Sequence, residues 1–257
     1  MISSDKDEIL LKKRMTEQAN TAFNKGLCLF SDFLNLYEQN IFTGLKKELP
    51  AIKYFTYGGY DDAERKIICY CGMDDINDLT DISFPISCIK ISPVSKKFSA
   101  PLSHRDFLGS ILSLGIDRSK IGDILVNDNE AYVFVQSMIA DYLKDNLTQI
   151  KHTNVTTNLI ENDGFDYKPN FKEITGTVSS VRLDSILAVA MGSSRSSLKG
   201  LIEGGKVFVG GRLIQSGSYS LKDNDIVSVR GFGKFIYYGS SHQTKKGRYS
   251  VKILLYI

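Results

Sequence analysis

Apolar positions recur along this chain with two periods, one near 3.6 residues and one of 2, and the order in which they alternate predicts its elements. Residues 5–49 carry the helical period. Ile9, Leu10, Met15, Ala19, Ala22 and Phe23 form an imperfect stripe, and after Gly26 a second stripe of Leu29, Phe33, Leu36, Tyr37, Ile41 and Leu45 ends at Pro50. KYFTYGGYDDAERKIICYCG then reads as strand, Gly-Gly connection and strand, and DDINDLTD as a polar loop. From Ser83 to Asn158 the succession is strand (ISCIKI), helix (HRDFLGSILSLG), strand (GDILVN), strand (AYVFVQ), helix (SMIADYLKDNL) and a last extended piece (IKHTNVTTN). That β-α-β-β-α-β order is the split βαβ arrangement of ferredoxin-like, RRM-like folds, with Asn127-Asp128-Asn129 turning between the middle strands. Tyr132 and Phe134 share one strand face and are expected in a core, because the Lys/Arg-Gly aromatic signature of base-stacking strands is not evident around them.

ENDGFDYKPN, residues 161–170, has no period and contains Gly and Pro, which makes it a linker; FKEITGTVSS follows as an extended segment. Beyond it Leu183, Ile186, Leu187 and Ala190 repeat at helical spacing up to Gly192. Ser193-Ser194 can cap a second helix with Leu198, Leu201 and Ile202 on its buried face and Gly204-Gly205 at its end. KVFVGGRLIQSGSYSL predicts a Gly-Gly hairpin, DIVSVRGFGKFIYYG further strand, and HQTKKGRYSVKILLYI a closing hairpin. The expected class is α+β: an N-terminal helical and β-hairpin region at 1–82, a ferredoxin-like domain at 83–160, a linker and extended segment at 161–180, and a helix-hairpin domain at 181–257.

Charge changes this picture more than composition does. The 257 residues carry a net +3, but residues 181–257 hold 12 Lys+Arg against 4 Asp+Glu, whereas residues 1–180 hold 20 against 25. A basic segment raises the local concentration of phosphate ligands by long-range attraction, so a polyanion-binding face is expected in the C-terminal third; a merely solvated basic face is the competing reading. Cys28, Cys69, Cys71 and Cys88 form no CxxC pair, and His104, His152 and His242 stand far apart, so neither a metal site nor a cofactor is expected. Cys69 and Cys71 should share one strand face. No apolar run reaches the roughly 20 residues of a membrane span, and MISSDKDEILLKKRM has charges where a signal peptide needs its apolar region. A cytoplasmic protein with reduced thiols and no membrane partner is the expectation.

Arg195 falls in the first turn of its helix and Lys199 one turn further on, both off the apolar face. With the N–H groups of the helix start they can clamp a phosphate. Lys206 and Arg212 lie near the hairpin ends, Arg230 and Lys234 flank Gly231 and Gly233, and Lys245, Lys246 and Arg248 crowd one tip.

A family resemblance rests on these residues. Arg182, Leu183 and Asp184 before the first helix, Ser194 and Arg195 at the head of the second, Ile202, Gly205, Val207, Val209 and Gly211, and finally Asp225, Val227, Val229, Arg230 and Gly231 resemble an S4-type RNA-binding domain. Gly210 stands where that hairpin often has Asn; both tolerate a positive φ, so only a side-chain contact would be lost. YGGYDDAERK (57–66), HRDFLGSILSLGIDRSKIGDI (104–124) and GKF…KKGR (233–248) further resemble the bacterial YlmH family over nearly the whole chain. The resemblance implies a ribosome-associated RNA-binding factor; a monomer is expected. Its implied partners are rRNA of the large subunit, tRNA and ribosome-associated proteins, and its implied role is the rescue of stalled nascent chains. Arg182, Ser194, Arg195, Lys199, Lys206, Arg212, Arg230, Lys234, Lys245, Lys246 and Arg248 are the expected RNA contacts.

Other chemistries fit less well. Gly200 to Lys206 matches seven positions of a phosphate loop, but Val207 replaces the Ser/Thr that holds magnesium and Lys206 leads into a strand. His104-Arg105-Asp106 echoes a kinase catalytic loop, yet Ile111 occupies its Asn position and no Asp-Phe-Gly follows, so Asp106 is expected to start a helix. Pseudouridine synthases pair an S4-type domain with a catalytic Asp in Arg-Leu-Asp. Here the motif occurs once, at Arg182-Leu183-Asp184, inside the binding domain itself. A noncatalytic protein is expected, with an RNA-modifying enzyme as the alternative.

Overall fold

In the computed structural model, which describes residues 5–95, 101–127, 129–160, 170–243 and 247–256, the chain divides into two units, Met1–Tyr167 and Lys168–Ile257. The first opens with α1 (Asp5–Lys25). Its buried positions are Leu11, Met15, Ala19 and Ala22, whereas Ile9, Leu10 and Phe23 are exposed. The expected stripe is thus corrected in phase: at 3.6 residues per turn those three lie about 80–140° around the helix from Met15. The second stripe is corrected too, since Leu29 belongs to β1 (Cys28–Phe30) and the helix begins only at α2 (Leu36–Leu45). Asn35 sets that start, because its side chain accepts from the Glu38 N–H at 3.0 Å while the Glu38 carboxylate accepts the Asn35 N–H at 2.7 Å. β2 (Lys53–Tyr57) and β3 (Ile67–Cys71) complete a three-stranded sheet in the order β1-β3-β2. Met15, Ala19, Phe42, Ile68 and Tyr70 fill the space beneath the helices.

A second sheet follows from β4 (Ile86–Pro93), α3 (His104–Ser113), β5 (Ile121–Asn127), β6 (Glu130–Gln136), α4 (Ala140–Asn146), β7 (Gln149–Ile150) and β8 (Thr153–Ile160). Its order is β5-β6-β4-β8-β7 with every pair antiparallel. The four long strands therefore have the ferredoxin-like order. Asn129 takes a φ of 65° at the hairpin, while Asp128 lies outside the described residues. Ile89, Ile91, Val133 and Val135 point toward Phe107, Ile111 and Leu143 of the two helices.

The other face of this sheet is partly sealed by the N-terminal region. Ile86, Cys88 and Phe134 meet Phe33, Tyr60, Ala63 and Ile67, and the Tyr60 ring stacks on Phe134 with centroids 5.1 Å apart. Gly59 permits the approach: its φ is +104°, and a Cβ there would stand 2.2 Å from the Phe134 ring. Asp123 of β5 accepts from Tyr60 Oη at 2.9 Å and from the Glu64 and Arg65 N–H groups at 2.6 and 3.1 Å. The Arg65 guanidinium in turn donates to the carbonyls of Ile121, Phe33 and Arg118 at 2.8, 2.9 and 3.2 Å. The segments on either side of residue 82 belong to one compact unit, and two of the three family-like motifs are the halves of this interlock.

The second unit comprises β9 (Phe171–Val178), α5 (Leu183–Met191), α6 (Arg195–Glu203), β10 (Val207–Val209), β11 (Arg212–Leu213), β12 (Asp225–Val229), β13 (Gly233–Gln243) and β14 (Tyr249–Tyr256). They form one antiparallel sheet, β11-β10-β12-β13-β14-β9, with both helices packed on one face. β9 runs in register with β14 from Phe171↔Tyr256 to Val178↔Tyr249. Residues 171–178, expected between domains, are thus an edge strand of the C-terminal sheet; residues 161–169 lie outside the described residues. Gly176 faces α5 so closely that a Cβ would meet Val189 at 2.6 Å.

Candidate RNA interface

Two helix starts and one loop build a groove in the second unit. Arg182 is the N-cap of α5, which ends where Gly192 turns left-handed at φ 59°. The chain then re-enters helix at Arg195, behind Ser194, whose Oγ accepts the Ser197 N–H at 3.2 Å. The opposite wall is the loop after β11. It is tied to α5 because the Leu183 N–H donates to the Tyr219 carbonyl at 2.8 Å and the Asp184 N–H to the Gly217 carbonyl at 3.1 Å. The open groove between them measures about 550 Å³, with Arg182, Arg195 and Lys199 facing Gln215, Ser216 and Ser218.

The cations are held by a relay of hydrogen bonds. The Arg182 Nε and Nη2 donate to the Asp184 carboxylate at 3.3 and 3.0 Å, Ser185 Oγ donates to the same carboxylate at 3.2 Å, and Arg195 Nη2 donates to Ser185 Oγ. Ser185 is buried, so the relay is anchored in the core and limits the rotamers of both guanidinium groups, reducing the entropy either would lose on meeting an anion. Lys199 pairs with Glu203 at 3.6 Å on an exposed helix face. Such surface pairs contribute about 0–1 kcal/mol, so this one does little to withhold Lys199 from a ligand.

The expected contacts separate in space. Arg182, Arg195 and Lys199 come together in the groove, with Ser194 capping the helix that carries two of them. Lys206 is exposed ahead of β10 and Arg212 on the edge strand β11. Arg230 lies over the Phe208 ring at 4.9 Å and Lys234 over Tyr256 at 4.2 Å, both on the sheet face turned away from the helices. Arg248 donates to the Thr177 carbonyl at 2.6 Å. Lys245 and Lys246 lie outside the described residues. Sequence reasoning missed the 215–218 wall, which it had assigned to a strand; the QSGS run carries turn formers but no period that could place it.

Asp106 starts α3, accepting the Ser103 N–H at 2.8 Å and pairing with Lys151 at 2.8 Å. Those two partners, Lys151 first, hold its carboxyl down at about 2. Cys28 Sγ stands 2.9 Å from Cys71 Sγ, and burial together with that neighbouring thiol pushes Cys28 up to about 11. Among the described residues no three Cys, His, Asp or Glu side chains gather as a metal site, and no helix is long and apolar enough to cross a membrane.

A family profile described as "Putative RNA-binding domain in YlmH" matches residues 80–163, and the S4 domain matches residues 181–227. The ribosome-associated protein quality control protein P2 of Bacillus subtilis (strain 168) is 29% identical over 222 residues, covering 86% of this chain and 84% of that protein. The solved structure of the cell division protein ylmH from Streptococcus pneumoniae is 21% identical with a TM-score of 0.49, covering 63% of this chain and 94% of the other.

Proposed function

From the premise that the chain belongs to the YlmH family, with a YlmH-type RNA-binding domain followed by an S4 domain, we propose that it is a noncatalytic cytoplasmic factor. It docks on structured rRNA of the large ribosomal subunit, together with tRNA, in quality control of stalled nascent chains. The observation that carries this reading is the groove, where Arg182, Arg195 and Lys199 converge within the S4-matched segment. Three cations on two helix starts suit the phosphates of a folded RNA backbone, which position a protein without reading bases. The name of the Bacillus subtilis relative supports the ribosomal setting. The engagement of Asp184 by Arg182 and Ser185 favours an anchoring role for this carboxylate over a nucleophilic one.

The test is binding of the full chain to a large-subunit rRNA hairpin across a salt series. Affinity should fall steeply, with each phosphate contact contributing about 0.7–0.9 to the log–log slope. Arg195→Ala should weaken binding and reduce that slope by about 1. A flat salt response, or unchanged binding by the variant, refutes the groove as the docking site. Mass spectrometry of the RNA nucleosides after incubation should show no new modified base.

A further inference from the structure

The sheet of the second unit has one face under α5 and α6 and another that neither of these helices covers. Alternation assigns the residues. Val207, Val227, Val229, Phe235, Val251 and Ile253 point to the helices and are buried, so Phe208, Lys234, Lys252 and Tyr256 point the other way; exposed Arg230 and Tyr238 join them there through their ring contacts. None of these six is buried, and Tyr238 is 54% exposed. They interleave as three cation–aromatic pairs: Arg230 over Phe208 at 4.9 Å, Lys234 over Tyr256 at 4.2 Å and Lys252 over Tyr238 at 5.2 Å. Phe171 of β9 meets Tyr256 edge-on at 4.8 Å. Lys252 also pairs with the Glu173 carboxylate at 2.7 Å.

We propose that this open face is a second RNA site, separate from the groove, and that it takes an unpaired strand. A flat aromatic ring on a strand offers a stacking partner to any base; the base takes the place of the cation lying over the ring, and the displaced cation, on a flexible stem, meets the phosphate that the stacked nucleotide brings. Duplex RNA shows phosphates and a shallow groove but no free base faces, so this arrangement favours single strands. The contrast with the first unit strengthens the assignment. There the corresponding aromatic, Phe134, is fully buried under Tyr60, and the stacking surface that a ferredoxin-like sheet can offer is closed over that end. The second unit would thus hold a folded RNA on its helix side and an unpaired segment on its sheet side. The inference shares with the groove proposal only the premise that this unit binds RNA.

The chain has no Trp, so Tyr238→Trp in the full-length protein supplies a single indole reporter on the face. Oligouridylate of about ten nucleotides, the approximate reach of one such surface, should quench its emission at low salt. Tyr238→Ala should weaken oligouridylate binding by about tenfold, in line with the loss of one stacking contact, while leaving rRNA-hairpin affinity unchanged; Tyr238→Phe should restore it. Arg195→Ala, with the Tyr238→Trp reporter in place, should leave the quench intact. Absence of quenching, or equal oligouridylate affinity of Tyr238→Ala and the parent, overturns the proposal whether or not the groove reading stands. If Tyr238→Ala instead abolishes self-association and leaves oligouridylate binding unmoved, the face is a protein contact and the RNA assignment fails. Loss of hairpin binding in Arg195→Ala with sheet-face quenching preserved supports both sites.

Discussion

Removing the Asp123 side chain tests the claim that the first 160 residues form one body. The carboxylate receives three donors, Tyr60 Oη and the N–H groups of Glu64 and Arg65, and it is an acidic member, with Glu38 and Glu64, of a site that also contains Arg65 and Arg118. Burial, and Arg65 beside it, bring the Arg118 guanidinium down to about 10, a sign of how little solvent reaches the pair. Asp123→Ala strands two backbone donors, at about 1–3 kcal/mol each, leaves Tyr60 Oη without this acceptor, and removes one of the three carboxylates, with Glu38 and Glu64, whose charge favours the buried arginines. These contributions overlap and do not add, so the expected destabilisation is about 3–5 kcal/mol. For a unit of this size that corresponds to roughly 10 °C in the calorimetric midpoint of the first unit. Hydrogen exchange locates the effect: the Glu64 and Arg65 amides should lose protection, whereas the sheet amides of the second unit should not. A loss below about 1 kcal/mol, or unchanged protection at those two amides, would refute the interlock.

Gly176→Val should destabilise the second unit by about 1–3 kcal/mol in urea titration, because its side chain would overlap Val189 of α5; the exposed neighbour Thr175→Val should be near neutral, and equal behaviour would detach β9 from the domain. Asp106 titrates low, at about 2 against an ordinary 3.8, so its contribution to stability is present above the ordinary value and is lost as pH falls from about 4 toward 2. Lys151→Ala should raise that carboxyl in an NMR titration and flatten this acid-dependent part of the unfolding curve; an unmoved titration would mean that Lys151 does not hold it.

The ferredoxin-like succession was legible because each element carries its own period: Phe107 and Ile111 are one turn apart, and Val133 and Val135 alternate with their neighbours. The basic helix head was legible for the same reason, since Arg195 and Lys199 must share a helical side. The groove's second wall was not, because a Gly/Ser loop has no period and its place is fixed by bonds from Leu183 and Asp184 across the fold. The sealed sheet face left a fainter trace. IICYC is continuously apolar, and all five of its residues are buried, as expected of a strand covered on both sides. Such a run says that something covers the strand, not which segment does. The phase error in α1 has a simpler origin: Ile9, Leu10 and Phe23 are apolar but exposed, and exposed apolar residues are common on folded surfaces.

The order of the cover and the face it covers has a consequence for synthesis. Tyr60, Ala63 and Ile67 leave the ribosome before Ile86, Cys88 and Phe134, and β4, the central strand, waits for β6 and β8, both still to be made. A nascent chain therefore carries its seal before it carries the apolar surface in need of one. The interval during which that half-built sheet can attract another chain is shortened by the order of segments along the chain alone.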